Sequence, residues 1–115
     1  MKQQSDLFLH ADNVEIEDVG GGIHRQILGY DDSLMLVRAI FDQNAIGYTH
    51  AHPHSQVTFV ESGVFDFTIG SETRRLSVGD CARIPPDVDH GAVCVEAGVL
   101  LDVFNPVRKD FLQES

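Results

Sequence analysis

The stretch His50-Ala51-His52-Pro53-His54-Ser55-Gln56-Val57-Thr58-Phe59-Val60-Glu61 decides how this chain is read. It opens on three histidines spaced two apart and runs into a segment rich in β-branched and aromatic residues. In an extended strand, residues two apart share a face. His50 and His52 therefore point to one side, and Gln56, four residues on, has the same parity. A further histidine, His90, follows the rigid Pro85-Pro86-Asp87 loop, which cannot sit in a central strand. Two imidazoles and an amide oxygen from one strand, joined by an imidazole from another, make a metal-ligand set that a barrel interior can assemble. The predicted ligands are thus His50, His52, Gln56 and His90. Imidazole suits Zn, Ni, Cu, Mn or Fe and does not choose among them. His54 shares the parity but follows Pro53; it could replace a ligand, stand behind one, or face solvent.

Outward from this stretch the pattern is one of short apolar runs separated by turn residues. Candidate strands are Ile23–Tyr30, Leu34–Phe41, Gln56–Glu61, Val64–Ile69, Thr73–Leu76, Cys81–Ile84, His90–Val95 and Val99–Phe104. Ser62-Gly63 reads as a tight hairpin between two of them. Helical periodicity is missing until the tail, where Val107–Gln113 after Pro106 suits a short helix. Short strands at even spacing, with almost no helix, predict an all-β barrel or sandwich. Small barrels are filled by side chains, so polar residues facing inward need a reason.

The chain has 115 residues, the length of one domain, and 43% of them are hydrophobic, enough for one core. Its 8 basic and 18 acidic residues leave a formal charge of −10, which argues against nucleic acid or an anionic membrane as partner. A small anionic substrate is not excluded, because a metal ion and one or two arginines can make a locally positive pocket in an acidic shell. Two cysteines, Cys81 and Cys94, are too few for a disulfide framework and predict a reducing cytoplasm. The N-terminal residues do not resemble a secretory signal, and apolar runs fall far short of the ~20 residues of a membrane span.

Val99–Phe104 carries a second signal. Leu100, Asp102 and Phe104 share one face of that strand, and a carboxylate on an apolar face is costly to bury unless paired or used. Asp102 is therefore a candidate acid or base, or the structural partner of an arginine. Phe104 is either core or a platform for a ring. Arg108, just past Asn105-Pro106, is either a surface ion pair or a carboxylate clamp. Arg83 and Arg38 are further candidates for the same pocket, whereas His10 and His24 read as ordinary surface or core residues. The neutral Gln56 leaves the full charge on a divalent ion, which suits Lewis-acid work on an anionic oxygen.

These residues resemble the two sequence motifs of the cupins. The first reads His50-x-His52, three residues, Gln56, six residues, Gly63, where the family usually has Glu in place of Gln56. The second reads Gly79, five residues, Pro85, x, Asp87, two residues, His90. The family usually has Gly at Asp87, Asn at Cys94 and a further Gly at Asn44. The motifs span about residues 44–63 and 79–94. The resemblance implies a double-stranded β-helix, one domain over residues 1–115, and a homodimer. The ending Gly98–Leu112 is similar to that of the small cupins of the KdgF type, which act on unsaturated uronates in pectin and alginate breakdown. That likeness implies catalytic roles for Asp102, Phe104 and Arg108, with Arg108, Phe104 and Arg83 binding substrate. It also implies one divalent ion (Ni, Zn, Mn or Fe) and conversion of a 4,5-unsaturated monouronate to linear 5-keto-4-deoxyuronate. A metal-dependent oxygenase and a non-catalytic sugar- or metal-binding cupin are the competing readings.

Overall fold

The structure is a computed structural model that describes residues 2–112. Eight strands follow in order: β1 Glu17–Gly20, β2 Ile23–Tyr30, β3 Met35–Phe41, β4 Ile46–His50, β5 Ser55–Ile69, β6 Glu72–Leu76, β7 Cys81–Ile84 and β8 His90–Asn105. All are antiparallel, in the order β1-β2-β3-β8-β5-β6, with β4 also on β8 and β7 also on β5. Two short 3-10 turns, Ala11–Asn13 and Lys109–Leu112, are the helical elements among the described residues. None is long and apolar enough to cross a membrane.

Two predicted boundaries differ from what forms. Ser62-Gly63 is not a hairpin, because β5 continues through it. His90–Val95 and Val99–Phe104 are likewise two halves of one strand, β8. The halves pair twice: Ser55–Val60 with Leu100–Asn105, and Val64–Ile69 with His90–Glu96, the register slipping between Val60 and Phe65. Both strands bend at this slip, so one sheet folds over into two facing layers. Their backbones nearly touch there. A Cβ on Gly63, whose φ is +81°, would stand 2.6 Å from the Glu96 carbonyl oxygen, and a Cβ on Gly98 would collide with the Ser62 carbonyl. A local reading sees Ser-Gly between two apolar runs and expects a turn; the chain uses the same residues for close approach. The strands β1 and β4 are additional. β4 is short and mostly exposed, and lacks the apolar alternation that marks a strand in sequence.

Alternation sets what lies inside. Met35, Val37, Ala39 and Phe41 of β3 are buried, as are Gln56, Thr58 and Val60 of β5. One apolar cluster joins Phe41, Val60, Phe65, Phe67, Ile84, Cys94 and Leu100. A smaller one joins Ile27, Met35, Val37, Phe104 and Val107, with Phe111 and Leu112 packed on it. The expected tail helix is thus the 3-10 turn Lys109–Leu112 docked on the second cluster; Gln113 lies outside the described residues. Cys94 is a core residue, whereas Cys81 faces outward; both are free thiols.

Asn44 and Asp87, where the motifs usually carry glycine, both adopt left-handed backbone, with φ of 69° and 65°. Asn and Asp tolerate that region better than other side chains, which is how the turns survive without glycine. The Asp87 turn also matters to the site, because its N–H donates to the His52 carbonyl at 2.8 Å and ties the second motif to the first.

Gly98→Ala tests the doubled sheet. The new methyl meets backbone rather than a side chain that could move, so a loss of roughly 2–4 kcal/mol is expected. Gly70→Ala, where a Cβ meets nothing within 4 Å, serves as comparison: strained by its φ of +60°, it should lose less. Equal melting temperatures for the two variants would contradict the close approach.

Candidate metal centre

His50 ends β4, His52 lies in the connection before β5, Gln56 is on β5 and His90 opens β8. Parity alone puts His50 and His52 on one strand, but β4 ends at His50. They still converge, because β4 and β8 pair at His50 and His90 and the connection folds back over that pair. One ring nitrogen from each of His50, His52 and His90 lies within 4.8 Å of the others. His52 and His90 are buried and His50 is exposed.

Each imidazole is held from behind by a backbone carbonyl. Nδ1–H of His50 donates to Tyr48 at 2.8 Å, that of His90 to Val88 at 2.9 Å, and that of His52 to His54 at 3.2 Å. A carbonyl can only accept, so Nδ1 carries the proton and Nε2 keeps its lone pair. This is how metal-ligating histidines are oriented. Two observations show that a cation fits the cluster. Nε2 of His90 is buried without a hydrogen-bond partner. Nε2 of His52 faces Oε1 of Gln56 at 2.8 Å. The Gln56 amide cannot be turned round, since its Nε2 already donates to Thr58 Oγ1 at 2.9 Å and to Asp102 Oδ1 at 3.3 Å. Two lone pairs at 2.8 Å repel unless a proton or a metal ion lies between them. Burial lowers the pKa of His52 and of His90, which disfavours the proton. His54 is not part of the cluster. It contributes its carbonyl, and its ring stands edge-on to His52 at 5.3 Å.

Behind Gln56 runs a short polar chain. Thr58, fully buried, accepts from Gln56 and donates to Asp102 Oδ1 at 2.6 Å. Thr58 and Asp102 are register partners across β5 and β8, which fixes this contact. Burial is the main force on Asp102 and pushes its carboxyl up to about 6, against the opposing pull of the Thr58 and Gln56 hydrogen bonds. Phe104, next inward on β8, is buried, with its ring 5.8 Å from that of His52. Arg108 is buried too. Its guanidinium forks onto Asp110 at 3.0 and 2.7 Å and lies 5.0 Å from the Phe104 ring centre.

These groups line one cavity of about 270 Å³, where the two apolar clusters meet: His50, Gln56, His90, Asp102, Phe104 and Arg108 all border it. Arg83 does not. It is an exposed residue of β7, between the inward-facing Ala82 and Ile84, so the substrate-binding role expected for it is corrected: parity puts it on the outer face. Arg38 also points outward, donating to Gln26 at 3.0 Å. Thr58, Arg25 and Phe111 belong to the site although the sequence reading did not single them out. Thr58 had a usable signal, the parity of Gln56 on an inward face where a hydroxyl needs a partner.

Two outcomes check this centre. His52→Ala should lose stoichiometric metal after dialysis, read by elemental analysis, while keeping its β circular dichroism; a retained ion would undo the ligand set. Asp102 gives a pH test on metal-free protein. Its folded pKa of about 6 exceeds the ordinary 3.8, so the stability of its protonated form is complete below pH 3.8 and lost as pH rises through 6. Asp102→Asn escapes that loss. It should melt with the parent near pH 4 and above it at pH 7.5, by up to roughly 2–3 kcal/mol. A difference that does not change with pH would mean that the carboxyl is not held protonated by its surroundings.

The comparisons with known proteins agree with this geometry. The cupin domain family matches residues 37–104. The pectin degradation protein KdgF of Dickeya dadantii (strain 3937) is 41% identical over 103 residues, covering 88% of this chain and 94% of that protein. A crystal structure of an RmlC-like cupin from Shewanella frigidimarina NCIMB 400 superposes with a TM-score of 0.94 at 48% identity, over 96% of this chain and 99% of that one. KdgF from Halomonas sp. superposes with a TM-score of 0.87 at 38% identity, over 90% of this chain and 98% of that one. With the motif residues converging as they do on one cavity, this chain belongs to the cupin family, in the group that includes the KdgF proteins.

Proposed function

We propose that the protein is a metal-dependent enzyme of pectin or alginate breakdown that opens 4,5-unsaturated monouronates to linear 5-keto-4-deoxyuronate. The observation that carries this reading is the meeting, in one small cavity, of a three-histidine cluster, a carboxyl with a raised pKa and an arginine. The relationship to the pectin degradation protein KdgF supports the substrate class. The cavity, at about 270 Å³, lies just below the ~300–1,000 Å³ usual for drug-sized ligands, which suits one sugar ring rather than a chain.

His50, His52, Gln56 and His90 would hold a divalent ion (Ni, Zn, Mn or Fe), which supplies Lewis-acid stabilisation of anionic oxygen. The remaining work falls to the chain's own residues. Both hydrogen bonds to Asp102 fall on Oδ1, which leaves Oδ2 for a substrate proton. The substrate is a cyclic hemiacetal whose ring oxygen is also an enol ether. Asp102 takes the proton of the anomeric hydroxyl, the C1 carbonyl forms, and the ring C1–O bond breaks. Its electron pair passes to the former ring oxygen as an enolate. Return of the proton to C4 gives the 5-ketone, so atoms and electrons balance without a redox partner. Burial raises the Asp102 pKa, which moves the carboxyl toward a group that can both take and return a proton. Phe104 presents a flat wall to the ring, and Arg108 pairs with the carboxylate.

Two features bear on the setting. The outer face of the β3-β8-β5 sheet carries the cross-strand rows Leu36–Val103–Val57 and Leu101–Phe59. Val57 and Phe59 are 40% and 41% exposed, which supports burial of this face in a homodimer. Free thiols at Cys81 and Cys94 support a reducing cytoplasm.

The test supplies lyase-generated unsaturated galacturonate or guluronate to protein loaded with each ion in turn. Absorbance of the conjugated double bond should fall faster than the spontaneous rate. No acceleration with any of the four ions would overturn the reading, and oxygen uptake by the iron form would favour an oxygenase instead. Asp102→Ala should abolish turnover with metal content intact; loss of the ion in that variant would make Asp102 a ligand or a brace.

A further inference from the structure

Arg25 sits on the inward face of β2 and borders the same cavity as the metal cluster. A guanidinium on that face must be paired or used. Its pairing is incomplete. Nε and Nη2 both donate to one oxygen of Glu17, at 3.3 and 3.2 Å, so the second Glu17 oxygen and Nη1 of Arg25 take no part. The bonds are long for an arginine–carboxylate contact and lack the two-oxygen fork of a strong one. Arg108, by contrast, engages both oxygens of Asp110.

The two arginines are joined by an aromatic ring. The Cζ atoms of Arg25 and Arg108 each lie 4.1 Å from the ring centre of Phe111, on the Lys109–Leu112 turn. Their charges therefore stand no more than about 8 Å apart, a gap that one carboxylate can bridge. Among the described residues lining the cavity, Asp102 is the one carboxyl, against the two guanidiniums of Arg25 and Arg108. Glu17 and Asp110 stand outside the lining, with side chains 32% and 55% exposed, so solvent screens their compensation. In a chain of net charge −10, the part of the cavity wall that holds Arg25 and Arg108 is a local excess of positive charge.

We propose that Arg25 is a specificity-determining residue. With Arg108 it grips the substrate carboxylate across Phe111, and the carboxylate takes the place that Glu17 fills loosely. The inference rests on the uronate reading above and adds a residue on a different strand from the C-terminal pair. Arg25 binds the ground state and the transition state alike, so its removal should raise KM and spare kcat.

Steady-state kinetics with unsaturated galacturonate on the metal-loaded full chain provide the test. Arg25→Gln should raise KM about tenfold or more, with kcat within about threefold and metal content unchanged. Arg25→Lys, which keeps the charge but not the fork, should fall between. Glu17→Gln distinguishes binding from bracing. Freed of its partner, Arg25 should give an equal or lower KM. If Glu17→Gln raises KM as Arg25→Gln does, the pair is a structural brace and the assignment falls. An active parent with no KM change in either Arg25 variant overturns the role of Arg25 alone. A parent without activity overturns the uronate reading itself.

Discussion

The close backbone approach of β5 and β8 at Gly63 and Gly98 is the constraint on which the rest of the molecule depends. With no Cβ on either strand, two long strands can bend together without parting. Each then serves both layers, and their register survives the bend. That register sets Thr58 opposite Asp102 and Gln56 opposite Phe104, so the polar chain behind the metal cluster is fixed by sheet geometry rather than by loops. Sites built on strands hold their geometry better than sites built on loops. Here the first half of β5, the second half of β8 and the opening of β8 supply Gln56, Asp102, Phe104 and His90. The more variable placements, His50 and His52, are held by the Asp87 bond to the His52 carbonyl and by the three Nδ1–H donations.

The site is electrostatically unfinished as a bare protein. Lone pairs of His52 and Gln56 face each other, Nε2 of His90 is buried without a partner, and Asp102 is held away from its preferred charge state. Each costs folding free energy, and each is relieved by positive charge in the cavity. The cost is tolerable because the surrounding core is well made: Val60, Phe65 and Ile84 are fully buried, and Phe41 meets Phe65 edge-on at 5.2 Å.

Much of this was legible in the sequence, for a stated reason. Strand parity has period two, so Leu100, Asp102 and Phe104 could be assigned to one face before any fold was known, whereas His50, His52 and Gln56 converge through the β4–β8 pairing and the connection before β5 rather than along one strand. Parity also condemned Arg83, because Ala82 and Ile84 beside it are the inward residues; weighing that alternation would have placed it outside. What parity does not encode is pairing between distant segments. The joint bend of β5 and β8 was read as a hairpin because Ser62-Gly63 is a local turn signal, and the glycine that explains it, Gly98, is 35 positions away. The stacking of Arg25 on Phe111 joins residues from opposite ends of the chain and leaves no local trace.

The division of labour around the cavity also explains why ligand identity is a weak guide to chemistry here. The three imidazoles stand close enough together that they could hold a cation, and any of several ions would suit them. What such a cation would be used for depends on the groups around it. Asp102 is tied to Gln56 directly and through Thr58, so a cation drawing electron density from the Gln56 carbonyl would sharpen the amide N–H donation to Asp102 and lower the cost of its ionised form. The same cation lowers the Asp102 pKa directly through space. Metal loading and the charge state of Asp102 would then be coupled through one side chain. A Glu at position 56 could bind an ion as well, but it would offer Asp102 a like charge in place of an N–H donor. The neutral amide therefore suits the carboxyl behind it, whatever ion the histidines take.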